Sequence, residues 1–298
     1  MAHGPTRTVL LLGASGFIGG AVAEASSRLA PPGTTLLAGS ARGKVTPLLD
    51  ALRPDAVINA AGLTRGTSAQ LREANVDLVE RLLEATEPRG IRLVHVGSAA
   101  ELGRSPDRSP LGEDAPASPI TEYGHCKLQA TERIRSAHRS GADAVVLRLF
   151  NVAVPQAPAG SPLAEFRQAL AAGEIVIENA RTARDYVTID FVAQVLLRAA
   201  CAPDRPPTPV VNLCSGRATT FGELAKALGR ASGLDVVVRD RALPIPLPLV
   251  TGDPSLLHAL HGLREHAGPD ELARAALGPM VSVAGAPSNL ATGLGPAA

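Results

Sequence analysis

Leu12-Gly13-Ala14-Ser15-Gly16-Phe17-Ile18-Gly19 is the stretch on which the fold turns. It follows the apolar run 8–12 (TVLLL) and opens the small-residue segment 17–29, a strand–turn–helix pattern. Gly13 permits a tight turn, Gly16 lets the backbone approach a pyrophosphate, and Gly19 lets the helix pack close to the strand. The helix start, with Ser15, Phe17 and Ile18, then presents unpaired N–H groups to phosphate. A glycine trio alone is a weak signal; at the head of an α/β pattern it is a strong one. An NAD site usually places an acid about 20 residues after the loop. No Asp or Glu lies between Glu24 and Asp50, where the chain offers Ser40, Arg42 and Lys44 instead. These suit a ribose 2′-phosphate, so NADP is the expected cofactor and NAD the alternative.

Outward from this loop, apolar runs alternate with helical patterns. Strands are expected at 35–38, 55–59, 91–96 and 144–149, and helices at 71–85 and 120–138. Such alternation predicts an α/β fold, a Rossmann-type doubly wound parallel sheet covered on both faces. Beyond Asn151 the pattern changes, with Pro-rich linkers at 154–162, 202–209 and 243–248. Helices are expected at 163–172, 221–231, 253–260 and 270–277, and strands at 175–178 and 210–213. The expected division is a dinucleotide-binding domain at 1–151, with 186–213 returning to it as a strand–helix excursion. Residues 152–185 and 214–280 then form a smaller α/β substrate-binding lobe, and 281–298 a frayed tail.

Composition excludes several function classes. Of 298 residues, 45% are hydrophobic and 19% charged, enough apolar material for a core and against disorder. A net charge of +1 with no long basic run argues against a nucleic-acid polymer as partner. No run of eighteen uncharged apolar residues and no secretory pattern occurs, so neither a membrane span nor export is expected. Cys126, Cys201 and Cys214 read as thiols of a reducing compartment, which predicts a cytoplasmic protein. The i, i+3 pair His258–His261, with His266, lacks a placed fourth ligand, so no metal is expected.

Tyr123-Gly124-His125-Cys126-Lys127 falls inside the long helix expected at 120–138. Tyr and Lys at i and i+4 share one helix face. A phenol with a reference pKa near 10 is a poor base, and a neighbouring ammonium lowers that value toward neutrality. The pair can then exchange a proton with substrate. Ser98 ends the fourth expected strand, where open α/β sheets build their sites, and can orient a substrate oxygen. His95 and His125 read as packing or surface residues. Asp190 is expected to cap the following helix and Asp185 to hold Arg184.

These motifs together resemble the extended short-chain dehydrogenase/reductases of the nucleotide-sugar epimerase/dehydratase group. The resemblance rests on GASGFIG (13–19), DAVINAAG (55–62), Asn75, SAAELG (98–103), Tyr123–Lys127, LRLFNV (147–152), RDYVTID (184–190) and NLCSG (212–216). It implies a catalytic triad of Ser98, Tyr123 and Lys127. It places Ala60, Ala61, Gly62, Asn75, Phe150 and Val152 beside the cofactor, with the glycine loop, Ser40 and Arg42. It places Ser98, Ala99, Asn151 and Arg184 at the substrate, and it implies a homodimer through two helices. The 4,6-dehydratases of this group carry Asp-Glu after the catalytic Ser or Thr. Here Ala99 and Ala100 follow, which disfavours elimination. The resemblance then implies reduction of a nucleotide-linked keto-sugar, most like the 4-keto-6-deoxy-sugar reductases. An epimerase with tightly held NAD is the alternative.

Overall fold

The computed structural model describes residues 6–41, 43–103, 109–158, 160–244 and 250–278. Eleven strands occur among them: β1 (Arg7–Leu12), β2 (Thr34–Gly39), β3 (Ala56–Asn59), β4 (Arg92–Ser98), β5 (Ala144–Leu149), β6 (Asn151–Ala153), β7 (Glu174–Ile177), β8 (Ala183–Thr188), β9 (Val210–Leu213), β10 (Ala218–Thr220) and β11 (Val237–Asp240). The main sheet has the order β2-β1-β3-β4-β5-β9, and every pairing in it is parallel. Chain connections run from β1 to one side and return on the other. This leaves a crevice beyond the carboxyl ends of β1 and β3, where open α/β sheets bind ligands.

Both faces of the sheet are covered, which is why its strands read as continuous apolar runs. On one face Val9, Leu11, Ile58, Val94 and Leu147 meet the helices Phe17–Leu29 and Ile189–Cys201. On the other, Leu10, Leu12, Val57, Leu93 and Val146 meet residues of the helices Val45–Leu52, Leu78–Thr86 and Glu122–Arg139. The alternation is the period-2 geometry of a strand. A third core, with Leu163, Phe166, Tyr186, Leu224 and Leu272, belongs to the second half of the chain. There β10, β8 and β6 form a three-stranded sheet and β11 pairs with β7.

The 186–213 excursion divides. Tyr186 and Thr188 pair with β6, outside the main sheet, whereas the helix Ile189–Cys201 packs on that sheet and β9 joins its edge. The helix Val45–Leu52 was not expected; Pro47 sits in its first turn, where a missing N–H leaves no intrahelical bond unmade. The expected helix 71–85 begins earlier. Thr67 caps it with Gln70 in a reciprocal box, and a π-turn at Glu73–Asp77 interrupts it before Leu78–Thr86. Asp190 is not the cap of its helix. Thr188 accepts from Phe191 N at 3.3 Å, and Asp190 pairs with Arg28 at 3.1 Å in the first turn. No helix among the described residues is long and apolar enough to cross a membrane. The tail 281–298 and Arg42 lie outside the described residues.

Candidate active site

Two cavities share the crevice. One, of about 880 Å³, is lined by Gly13, Ser15, Gly16, Gly39, Ser40 and Ala60–Leu63, with Glu73 and Arg81 from the helix opposite. The second, of about 310 Å³, is lined by Phe17, Ile18, Asn75, Ser98, Tyr123, Lys127, Phe150, Asn151, Val152 and Tyr186. Ala60, Ala61 and Gly62 line both. The loop fits a dinucleotide. Gly13 has φ +86°, and a Cβ there would lie 2.6 Å from Ala61 N. A Cβ at Gly19 would lie 2.2 Å from Gly13 O, so only glycine lets this helix start so close to β1. Gly16 caps the helix without any side-chain bond, leaving its first N–H groups directed at the crevice.

The catalytic helix is capped by Thr121, whose hydroxyl accepts from Gly124 N at 3.1 Å. Tyr123 and Lys127 share one face, with Lys127 Nζ 5.9 Å from the Tyr123 ring centre. Lys127 is 5% exposed and donates to Val96 O at 2.9 Å. Burial brings its pKa down to about 8, while the carboxylate of Glu101 pulls it back up. Burial also raises the Tyr123 phenol above its ordinary value; a hydrogen bond with Ser98 lowers it and Glu101 raises it further. The sequence reading expected a phenol made more acidic by Lys127. In this geometry burial wins, and the phenol is held in its protonated form, the state of a proton donor. His95 is buried and meets Asn59 Nδ2 at 3.1 Å; burial and then Lys127 hold its pKa well below the ordinary value.

Asn75 sits in the π-turn, 0% exposed, and donates to Leu63 O at 2.8 Å and Leu71 O at 2.9 Å. It thereby ties the loop after β3 to the helix. Its Oδ1, buried and without a protein partner, lies 2.7 Å from a Cβ built at Gly62. Asn151 lines the smaller cavity and donates to Asp185 O at 2.9 Å.

Three expected residues line neither cavity. Gly19 packs on the glycine turn, Ala99 joins Leu102 and Phe150 in a small apolar cluster, and Arg184 lies over the Phe221 ring at 5.7 Å. Asp185 does not hold Arg184. Its carboxylate accepts from Ser215 N at 2.8 Å, Ser215 Oγ at 2.6 Å, Gly216 N at 2.9 Å and Gly252 N at 3.1 Å, bracing the turn after β9. Tyr186 was not expected in the cavity; burial takes its phenol up to about 12. The strand spacing of RDYVTID carried the signal, since Tyr186 stands two residues from Arg184 on β8 and so shares its face.

A dinucleotide-binding crevice opening onto a Ser–Tyr–Lys set defines an NAD(P)-dependent oxidoreductase-type enzyme on the extended short-chain dehydrogenase/reductase fold. More narrowly, the model of the NAD dependent epimerase/dehydratase family matches residues 9–214, and the chain belongs to that family. It is 37% identical over 279 residues to a dTDP-6-deoxy-L-talose 4-dehydrogenase (NAD(P)(+)) of Kitasatospora kifunensis, covering 84% of this chain and 86% of that protein. It is 27% identical over 289 residues to UDP-glucose 4-epimerase 4 of Oryza sativa subsp. japonica, covering 78% of each. The structure of RMD from Pseudomonas aeruginosa complexed with NADPH superposes with a TM-score of 0.76 at 23% identity, covering 91% of this chain and 98% of that one.

Proposed function

We propose that this protein is an NADP-preferring reductase of a nucleotide-linked 4-keto-6-deoxy-sugar. The carrying observation is that Ser98, Tyr123 and Lys127 line one cavity, with Lys127 Nζ 5.9 Å from the Tyr123 ring centre, and that Ala99 and Ala100 stand where an eliminating enzyme needs acids. Dehydrogenation at carbon 4, as in the name of the Kitasatospora relative, and reduction of a 4-keto group are one step run in opposite directions. A nicotinamide held in the crevice would supply hydride to the carbonyl carbon. Tyr123 gives its proton to the carbonyl oxygen, Ser98 orients that oxygen, and Lys127 holds ribose hydroxyls beside the tyrosine. Asn151 and Arg184 are the proposed contacts to the sugar and diphosphate, and the assembly is a cytoplasmic homodimer through the helices at 68–86 and 122–139.

The epimerase reading is supported by the rice relative and uses the same triad without net redox change. Release of nicotinamide from the purified, denatured protein separates the two. Retained NAD indicates an epimerase; an empty site that takes up NADPH and oxidises it against a nucleotide-linked 4-keto-sugar indicates a reductase.

Two expectations follow for binding. NADPH should bind more tightly than NADH, and Arg42→Ala should narrow the gap by about tenfold to a hundredfold, the worth of one charge-assisted phosphate contact. Equal dissociation constants in a titration of the parent would sink the NADP preference. Arg184→Ala should raise KM for a nucleotide-linked substrate and leave a sugar lacking the diphosphate little changed. If both substrates suffer equally, Arg184 supports the fold through Phe221 instead.

A further inference from the structure

The turn Ala99–Glu101 directly follows Ser98, whose hydroxyl accepts from Ala100 N at 3.2 Å. Glu101 ends this turn and is 0% exposed. One carboxylate oxygen accepts from Arg148 Nε on β5, and the other accepts from Thr131 Oγ1 at 2.7 Å. Thr131 stands one turn beyond Lys127 and two beyond Tyr123, on the same stripe of the catalytic helix. Arg148 is itself 2% exposed and donates to Asn212 Oδ1 and to Glu113 O, each at 3.1 Å. The turn also touches the helix at a second point. A Cβ at Gly124 would lie 2.5 Å from Ala100 O, so the residue after Tyr123 lies against the residue before Glu101.

Two contacts, at Gly124 between Tyr123 and Lys127 and at Thr131 one turn beyond Lys127, therefore pin the Ser98 turn to the helix that carries them. A well-packed apolar pair would fill the space of Glu101 and Arg148 at similar or better stability, so packing alone does not account for two charges here. Proximity catalysis is sensitive to displacements of about 1 Å between acid and substrate oxygen. We propose that Glu101 is a positioning residue, clamped by Arg148 and Thr131, that holds the Ser98 hydroxyl in register with Tyr123 and Lys127. The inference rests on the reading of Ser98, Tyr123 and Lys127 as the proton-transfer set.

The groups that face Tyr123 are Lys127 on its own helix and Ser98 and Glu101 from the turn. Behind them stand Arg148 from β5 and Arg135, which both donate to Glu113 O, and His95 on β4, whose pKa the Lys127 charge helps lower. The chain has two tyrosines and no tryptophan, so in a Tyr186→Phe parent Tyr123 is the sole phenol. Its ionisation can then be followed by tyrosinate absorbance in the full-length protein, without any substrate. In that parent, Glu101→Gln should let Tyr123 ionise at lower pH, because Arg148 loses its counter-charge. Thr131→Val removes a clamp bond without changing charge. It should move the ionisation the other way, because a loosened turn weakens the Ser98 hydrogen bond that lowers the phenol. Loss of the Glu101 charge lowers the phenol whatever its role, so the charge-neutral Thr131→Val decides: a folded Thr131→Val whose titration stays put or moves down overturns the proposal. Single-turnover NADPH oxidation adds a second readout. Measured well below the alkaline limb of Lys127, Glu101→Gln should slow it about tenfold with NADPH affinity unchanged, and should cost nothing further in a Ser98→Ala background. Rate losses that multiply in the double variant overturn the proposal. If the reaction assignment itself is wrong, every protein including the parent is silent in that assay, and the titrations still decide the role of Glu101.

Discussion

Tyr123→Phe should slow single-turnover hydride transfer by about 10²–10⁴-fold, the ordinary contribution of a general acid. The ring stays, so its place beside Lys127 Nζ and the wall it forms in the cavity stay too. NADPH affinity should therefore remain close to that of the parent. What disappears is the only phenol that Ser98 engages and that burial keeps protonated. Tyr186 also has a phenol in this cavity, held up at about 12. Tyr186→Phe supplies the comparison: it removes a hydroxyl from the same space and should cost much less in the chemical step. The measurement is loss of NADPH absorbance in one turnover, with cofactor dissociation constants titrated separately. A Tyr123→Phe enzyme running at the parent rate would falsify the assignment of the acid.

How much of this was legible before the structure follows from how local each feature is. The main-sheet strands β1, β3, β4 and β5 announce themselves because parallel strands buried on both faces read as unbroken apolar runs. The glycine loop is legible because Gly16 and Gly19 meet Gly13 within one turn and Gly13 itself needs a positive φ there, whereas the approach of Gly13 to Ala60 and Ala61 is tertiary. The i, i+4 pair Tyr123–Lys127 is set by helix geometry alone. The short strands β6, β10 and β11 carry three or four residues each, too few for a pattern, and exist because tertiary partners complete them. Asp185 was given the wrong partner because its four donors lie 30 to 67 residues away in the chain. Glu101 carries no local sign of its partner in the sequence. Its partner Arg148 is 47 residues off on another strand, so the pair is visible only once β4 and β5 are adjacent. The direction of the Tyr123 shift was misread for a related reason: proximity to Lys127 follows from spacing, whereas burial is a property of the assembled crevice.

Lys127→Met should do more damage than Tyr123→Phe. Lys127 serves two structures at once: it faces Tyr123 on the helix and reaches across to Val96 O on the strand that ends in Ser98. Methionine keeps most of the volume and stays apolar in a site that is 5% exposed, so a cavity is not the expected defect. The loss is of a cation and its donors. Cofactor affinity should fall together with the chemical step, whereas Tyr123→Phe lowers the chemical step alone. The pH profile separates the two further. With a pKa brought down to about 8, Lys127 is charged below that pH and gives up its proton as the pH rises through it. The cofactor-free protein should accordingly bind NADPH less well on the alkaline side of about 8, and Lys127→Met should bind weakly at every pH with that limb missing. Glu101 raises the Lys127 value, so Glu101→Gln should move the same limb to lower pH. An alkaline limb that survives unchanged in Lys127→Met belongs to another group, and the role of Lys127 at the ribose would have to be given up.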